Sequence, residues 1–275
     1  MKTFYKTIII SDLHLGIKAS KAKEVVRFLK HHRCDTLILN GDIIDGWQLR
    51  KSGKWKKSHT KFFKHIFKVA SKKTEVIYIR GNHDDFLDEI LPFSLGNFSI
   101  KKQHIHVSGK KRYLVTHGDL FDSITKNLKW VSKLGDVGYT FLLWLNRHYN
   151  HYREKRGLPY YSLSQNIKAK VKSAVSFISD YENELAKVAR HKKCDGVICG
   201  HIHQAAMKTI DGIEYLNSGD WVETLSALVE DAEGNWKIIY YAGWLEKLKE
   251  AENIIERNLF ENNVEEEINL TKKSA

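Results

Sequence analysis

The sequence has no long hydrophobic run. Its most apolar stretch, Tyr139–Asn146, is much too short to cross a bilayer as a helix, so any membrane contact has to be peripheral. Cysteine is scarce: Cys34, Cys194 and Cys199 are odd in number and fit neither a disulfide framework nor the paired spacing of a zinc ribbon. They read as buried thiols in a reducing cytosol. Nor is a secretory signal visible, since the apolar stretch after Lys2 and Lys6 is only a few residues long and runs into charged residues rather than a small-residue cleavage site. Acidic residues are missing from Gln48 to Lys73, where ten Lys or Arg occur, whereas Glu246 to Glu267 is mainly acidic. What is present is 275 residues, 42% hydrophobic and 28% charged, enough for a substantial core, with a net charge of +12. Any single lysine suits a solvated helix face. A run of ten points to an anionic partner: nucleic acid, a phosphorylated small molecule or an anionic lipid surface.

Apolar, β-branched runs recur and stop at polar clusters. TIII leads to SDLH, DTLILN to GDIID, TEVIYIR to GNHDD, RYLVT to HGD, and DGVIC to GHIH. Helical spacing lies between the first of them, in KAKEVVRFLKHH and HTKFFKHIFKVASKK. Strands alternating with helices predict an α/β layered domain, in which ligands sit beyond the carboxyl ends of the strands. All five polar clusters fall there. From Leu120 to about Lys193 the pattern becomes helical and rich in aromatics, reading as an insertion or cap broken at Gly157 and Pro159. Short strands then return and read as a β-meander completing the sheet. The expected organisation is one domain over 1–245, including the cap at about 120–193, followed by a C-terminal helix and frayed acidic tail over 246–275.

The clusters contain Asp12, His14, Asp42, Asp45, Asn82, His83, His117, His201 and His203. One histidine alone would be an ordinary core or surface residue, but five clusters at five strand ends point to a site. Alternation along a strand would send Asp12 with His14, and His201 with His203, toward a common point. Carboxylate, imidazole and amide oxygen together suit manganese, iron or zinc better than calcium. Seven such ligands are too many for one ion. Two ions sharing a carboxylate would use them all.

D-x-H at Asp12 and His14, G-D-x-x-D from Gly41 to Asp45, G-N-H-D from Gly81 to Asp84, the lone His117, and G-H-x-H from Gly200 to His203 resemble the calcineurin-like metallophosphoesterase superfamily in order and spacing. The resemblance implies a layered β-sandwich flanked by helices and a dinuclear centre. Asp12, His14, Asp42 and His203 would hold one ion and Asp42, Asn82, His117 and His201 the other, with Asp42 bridging. Such ions, roughly 3.5–4 Å apart, acidify a shared water and clamp phosphoryl oxygens for in-line attack. His83 would protonate or orient the leaving oxygen. Asp45 and Asp84 would stand behind the ligands, accepting hydrogen bonds that fix histidine tautomers. His65, His104, His106, His148 and His151 match no motif and are expected to be structural or surface residues.

Within that superfamily SDLHLG, GDIIDGW, GNHDD, THGDLFD and VICGHIH resemble the UDP-2,3-diacylglucosamine hydrolase group, which cleaves a lipid A precursor at its pyrophosphate to UMP and a lipid monophosphate. The resemblance implies two divalent ions, manganese first, with iron or zinc as alternatives, and a cytoplasmic enzyme peripheral on the inner membrane. Trp-, Phe- and Leu-rich cap helices would receive acyl chains, with Asn82, Asp122, Ser164, Lys168 and Lys170 as substrate contacts. The same aromatic stripe equally suits core packing of the cap. One departure stands out: the founding members of the group carry Arg after the motif's Asn, where this chain has His83. A paralogous phosphodiesterase or nuclease, steered to nucleic acid by the basic segment, would keep the same ligands. A non-enzymatic scaffold would be expected to have lost them. No obligate protein partner is evident.

Overall fold

The computed structural model describes residues 2–51, 53–119, 152–153, 155–157 and 178–254. The chain opens with β1 (Thr3–Ile10), α1 (Ala22–His31), β2 (His32–Asn40), α2 (Gly46–Lys51), α3 (Lys57–Ala70) and β3 (Glu75–Ile79). A 3-10 turn (Asp85–Ile90) leads to β4 (Phe93–Leu95), β5 (Phe98–Lys101), β6 (His104–Ser108) and β7 (Lys111–Val115). After a helical segment over 178–191 come β8 (Gly196–Cys199), β9 (Ala206–Ile210), β10 (Ile213–Asn217), β11 (Ser226–Glu230) and β12 (Trp236–Tyr240), then a helix over 241–254. The strands form two mixed sheets, ordered β12-β11-β1-β2-β3-β5-β4 and β6-β7-β8-β10-β9. No helix among the described residues is long and apolar enough to cross a membrane.

Period-two alternation sorts the apolar residues into layers. Ile8, Ile10, Leu37, Leu39, Val76 and Tyr78 turn to one face of the larger sheet and pack with Val25 and Phe28 of α1 and Phe62 and Ile66 of α3. Their strand neighbours Ile9, Ile38, Ile77 and Ile79 turn the other way. There they meet Tyr113, Val115, Ile198 and Leu216 of the smaller sheet. The outer face of that sheet, Leu114, Val197, Cys199 and Tyr215, is covered by Tyr181, Leu185 and Ala189 of the 178–191 helix. The result is four layers: helix, sheet, sheet, helix. Each fully buried Ile, Leu or Phe contributes roughly 1.5–3 kcal/mol. Phe62, with no exposed surface, would cost about 3–5 kcal/mol if cut back to alanine.

The structure departs from the sequence expectation in the last strands. They form no single meander: β9 and β10 belong to the smaller sheet, where β10 lies parallel to β8, while β11 and β12 extend the larger one beside β1. The chain crosses between sheets after Asn217, and both faces of β10 and β11 are buried, so alternation alone does not reveal which sheet each joins. Within the stretch read as a cap, the 178–191 helix forms the outer layer over the smaller sheet. Apart from 152–153 and 155–157, the expected cap up to 177, with Asp122, Ser164, Lys168 and Lys170, and the tail beyond 254 lie outside the described residues. Cys194 and Cys199 are buried and Cys34 partly so, all as free thiols.

Strands β1, β2 and β3 run parallel, as do β7 and β8. Their carboxyl ends therefore bring SDLH, GDIID, GNHD, THGD and GHIH to one edge of the sandwich.

Candidate metal centre

The side chains are aimed by left-handed backbone beyond the strands. β1 ends at Ile10, and Asp12, His14, Asp42, His201 and His203 all have positive φ, between 47° and 69°. For residues other than glycine this costs about 1–3 kcal/mol each and persists only where the surroundings enforce it. Here hydrogen bonds between loops do so: the N–H of Asp12 donates to Gly41 O (3.0 Å), that of His14 to Asp42 O (2.8 Å) and that of Gly200 to His117 O (3.1 Å). The alternation expected for Asp12–His14 and His201–His203 is thus replaced by turns. His201 and His203 consequently point into different groups.

In the first group, Asp12 Oδ1 is 3.3 Å from His203 Nε2, and His14 Nε2 is 3.3 Å from His203 Nε2. In the second, Asp42 Oδ2 is 3.3 Å from His117 Nε2, which is 3.3 Å from His201 Nδ1. Asp42 joins them, because the same Oδ2 is 3.8 Å from His14 Nε2. Its other oxygen accepts the His83 N–H at 2.8 Å. Asp12 likewise accepts the His201 N–H through Oδ2 at 3.0 Å, and His117 Nδ1 lies 2.9 Å from the carbonyl of Asn40. Asp42, Asp12 and His117 are thereby each held by a contact on the outward side. Two glycines make the approach possible: a Cβ on Gly41, itself at φ +81°, would collide with the His117 ring, and one on Gly81 with the Asp42 carboxylate.

Divalent cations fit this arrangement. The buried oxygen Asn82 Oδ1 has no hydrogen-bond partner, a costly state unless something positive faces it. The imidazoles tell the same story. Burial alone would depress His203, but Asp12 beside it pushes it up to about 9, and Asp42 and Asp12 raise buried His117 well above the usual imidazole range. Burial acts to raise Asp12 and Asp42 too, yet His203 and His117 hold Asp12 at about 2, and His117 with His14 holds Asp42 well below the usual range. The cluster calls for positive charge at its centre.

The sequence expectation for the two supporting carboxylates divides. Asp45 Oδ2 lies 3.3 Å from His14 Nδ1 and 3.2 Å from His83 Nδ1, so one carboxylate orients both rings and leaves both Nε2 atoms facing inward. His14, Asp45 and His83 are also close enough to hold an ion. That would spend the Nδ1 atoms that Asp45 needs to orient the rings, so a hydrogen-bonding role suits them better. Asp84 touches no histidine. It accepts backbone N–H groups from Ile43 (3.2 Å), Ile44 (2.8 Å) and Gly81 (3.4 Å), tying the second motif to the third. Burial and the neighbouring Asp42 push its carboxyl up to about 7. Tautomer control is therefore not its part, because its carboxylate is engaged by backbone donors and Tyr78.

His83 Nε2 lies 3.9 Å from Asp42 Oδ2, beside both groups. Trp47, the last residue of GDIIDGW, covers its face with ring centroids 4.2 Å apart. The indole N–H donates to Asp85 at 3.2 Å, and Asp85 is paired with Arg50 at 2.9 Å. Tyr181 packs near His201, with centroids 6.1 Å apart, and is a second neighbour invisible in sequence. Of the unmatched histidines, His106 bonds Glu230 at 2.8 Å between the sheets, away from the motif loops.

The calcineurin-like phosphoesterase profile matches residues 5–205, whereas no curated protein matches the chain significantly. Among solved structures, a novel archaeal phosphodiesterase is 13% identical with a TM-score of 0.43, over 85% of this chain and 98% of that one. Yfce, a phosphoesterase from E. coli, is 16% identical with a TM-score of 0.41, over 85% and 97%. A hypothetical protein from Pyrococcus horikoshii OT3 is 11% identical with a TM-score of 0.46, over 91% and 94%. The family typically uses a dinuclear metal centre. From the match over residues 5–205, with its motifs gathered at one edge of the two sheets, the chain belongs to the calcineurin-like phosphoesterase family and is a metal-dependent phosphoesterase.

Proposed function

We propose that the chain hydrolyses a phosphodiester or pyrophosphate with two divalent cations, one held by Asp12, His14, Asp42 and His203, the other by Asp42, Asn82, His117 and His201. The observation that carries this reading is the position of Asp42 Oδ2, which faces His14 on one side and His117 on the other. Manganese is the first choice, with iron and zinc compatible with the same donors. When bound, the ions supply Lewis acidity, lowering the pKa of water and neutralising charge on the phosphoryl oxygens.

The protein's own groups do the rest. Asp42 and Asp12 set the negative field that retains the cations. His83 delivers a proton from Nε2 to the leaving oxygen, while Asp45 compensates the charge on the doubly protonated ring through Nδ1. Trp47 keeps that ring from rotating and shields one face from water. Asp84 keeps the loops carrying Asp42 and His83 in register.

For substrate we place a UDP-linked glycolipid of the UDP-2,3-diacylglucosamine type first, supported by the run of motifs from SDLHLG to VICGHIH. His83 in place of Arg leaves a different nucleotide diphosphate or phosphodiester as the alternative. The test supplies manganese-reconstituted protein with UDP-2,3-diacylglucosamine and, separately, bis(p-nitrophenyl) phosphate. UMP release with strong preference for the lipid supports the glycolipid reading; nitrophenol without UMP rejects it and keeps the phosphodiesterase.

A further inference from the structure

Four large apolar side chains stand exposed near the basic segment: Trp55 (45%), Phe67 (49%), Phe93 (38%) and Leu95 (67%). Scattered exposed hydrophobics are ordinary, but these are connected. Trp55 stacks on Phe63 with centroids 6.0 Å apart, Phe63 meets Phe67 at 6.2 Å, and Phe67 meets Phe98 at 5.3 Å. Phe98 is in register with Leu95, and Ile100 with Phe93, on the edge strand β4. The ridge thus runs along α3 and onto the margin of the larger sheet.

Along α3 and the loop before it the charge is of one sign. Lys54, Lys57, Lys61, Lys64 and Lys68 are exposed beside it and make no ion pair among the described residues. No acid occurs between Gln48 and Lys73, and Asp85 and Asp88 of the adjoining 3-10 turn are already paired with Arg50 and Arg80.

We propose that the α3 ridge and the β4 edge form a docking face for an anionic lipid bilayer. Trp and Phe beside lysines on one surface are the composition of an interfacial anchor, the rings entering the headgroup boundary and the ammonium groups meeting lipid phosphates. Single-stranded nucleic acid fits less well, because Leu95 offers a base no aromatic face. A second copy paired along β4 would bring the lysine rows together. The proposal stands apart from the phosphoester reading, and its test uses neither substrate nor turnover.

Full-length protein is sedimented with vesicles of phosphatidylcholine alone and of phosphatidylcholine mixed with phosphatidylglycerol. Binding is expected only to the mixed vesicles, weakening with salt. Phe67→Ser with Leu95→Ser should lower partitioning roughly 10-fold or more. Lys61→Gln, Lys64→Gln and Lys68→Gln together should lower it on the order of 100-fold. On the unmodified chain, brominated lipid should quench tryptophan emission, and Trp55→Phe should remove part of that quenching. Equal binding to neutral vesicles, no binding to either, an unaffected Phe67/Leu95 variant, or Trp55 beyond reach of the quencher would each overturn the proposal. So would a chain that binds an oligonucleotide and ignores vesicles.

Discussion

The indole of Trp47 lies against the imidazole of His83, ring centroids 4.2 Å apart and planes inclined by 35°. Asp45 holds the same imidazole by its Nδ1 at 3.2 Å, so the ring is fixed by an edge contact and a face contact together. Trp47→Ala should lower kcat on bis(p-nitrophenyl) phosphate about 10-fold, since a misaimed proton donor forfeits part of the usual general-acid gain. Trp47→Phe should keep most activity. Metal content, measured by mass spectrometry, should be unchanged in both; lost metal would make Trp47 a support of the centre instead.

His83→Ala and Asp42→Ala should separate chemistry from metal binding. The first is expected to retain metal and lose roughly 100-fold or more in kcat, the scale of general-acid help. Asp42→Ala should lose metal and all measurable turnover, because the same oxygen serves both groups. Normal turnover in Asp42→Ala would sink the dinuclear reading.

Asp45→Asn tests the shared orientation of His14 and His83. Losing a hydrogen-bonding partner behind a metal ligand typically costs 10–100-fold in metal affinity or activity. Metal titration followed by activity should show that loss, whereas Asp84→Asn, whose carboxylate meets backbone amides and the Tyr78 hydroxyl rather than an imidazole, should mainly lower thermal stability.

Chelation should destabilise as well as inactivate. Cations that bind only the folded state stabilise it by about 2.7 kcal/mol at a concentration 100 times Kd. Removing them also leaves Asn82 Oδ1 buried without a hydrogen-bond partner. Calorimetry should therefore record a lower Tm after chelation, reversed by manganese; an unchanged Tm would argue against tight binding here.

Acid should weaken the sandwich away from the centre. Glu230 is buried between the sheets, where burial acts to raise it, but His106 (2.8 Å), Ser108 (2.5 Å) and Thr7 (2.6 Å) outweigh that and hold it at about 2. A depressed carboxylate stabilises above its unfolded value near 4.5 and loses that contribution as pH falls toward 2. Urea unfolding should show stability dropping across this window. Glu230→Gln should cost about 2 kcal/mol at pH 7 and flatten the acid limb.

Much of the site was legible because its motifs are local. An apolar β-branched run ending in a polar cluster marks the carboxyl end of a strand whatever the rest of the chain does, and β1, β2, β3, β7 and β8 all end this way. Asp12 with His14, and His201 with His203, do reach the common site, but through left-handed turns rather than strand alternation. Trp47 closes GDIIDGW, but neither its contact with His83 nor that of Tyr181 with His201 was legible, because an aromatic residue's sequence neighbours do not say which ring it will cover. Asp45 and Asp84 look alike as carboxylates of their motifs, but only folded neighbours show one meeting imidazoles and the other backbone amides.

The sequence by itself determined the strands, the order of the motifs and the donor chemistry gathered at their ends, because period-two burial and turn-forming glycines act over a few residues. Tertiary structure alone decided which donors meet. Parallel pairing of β1 with β2 and β3, and of β7 with β8, places Asp42 between His14 and His117. It also decided that the last four strands divide between two sheets and that α3 and β4 leave a shared ridge exposed. Those outcomes depend on contacts among residues tens to hundreds of positions apart, and local pattern carries no record of them.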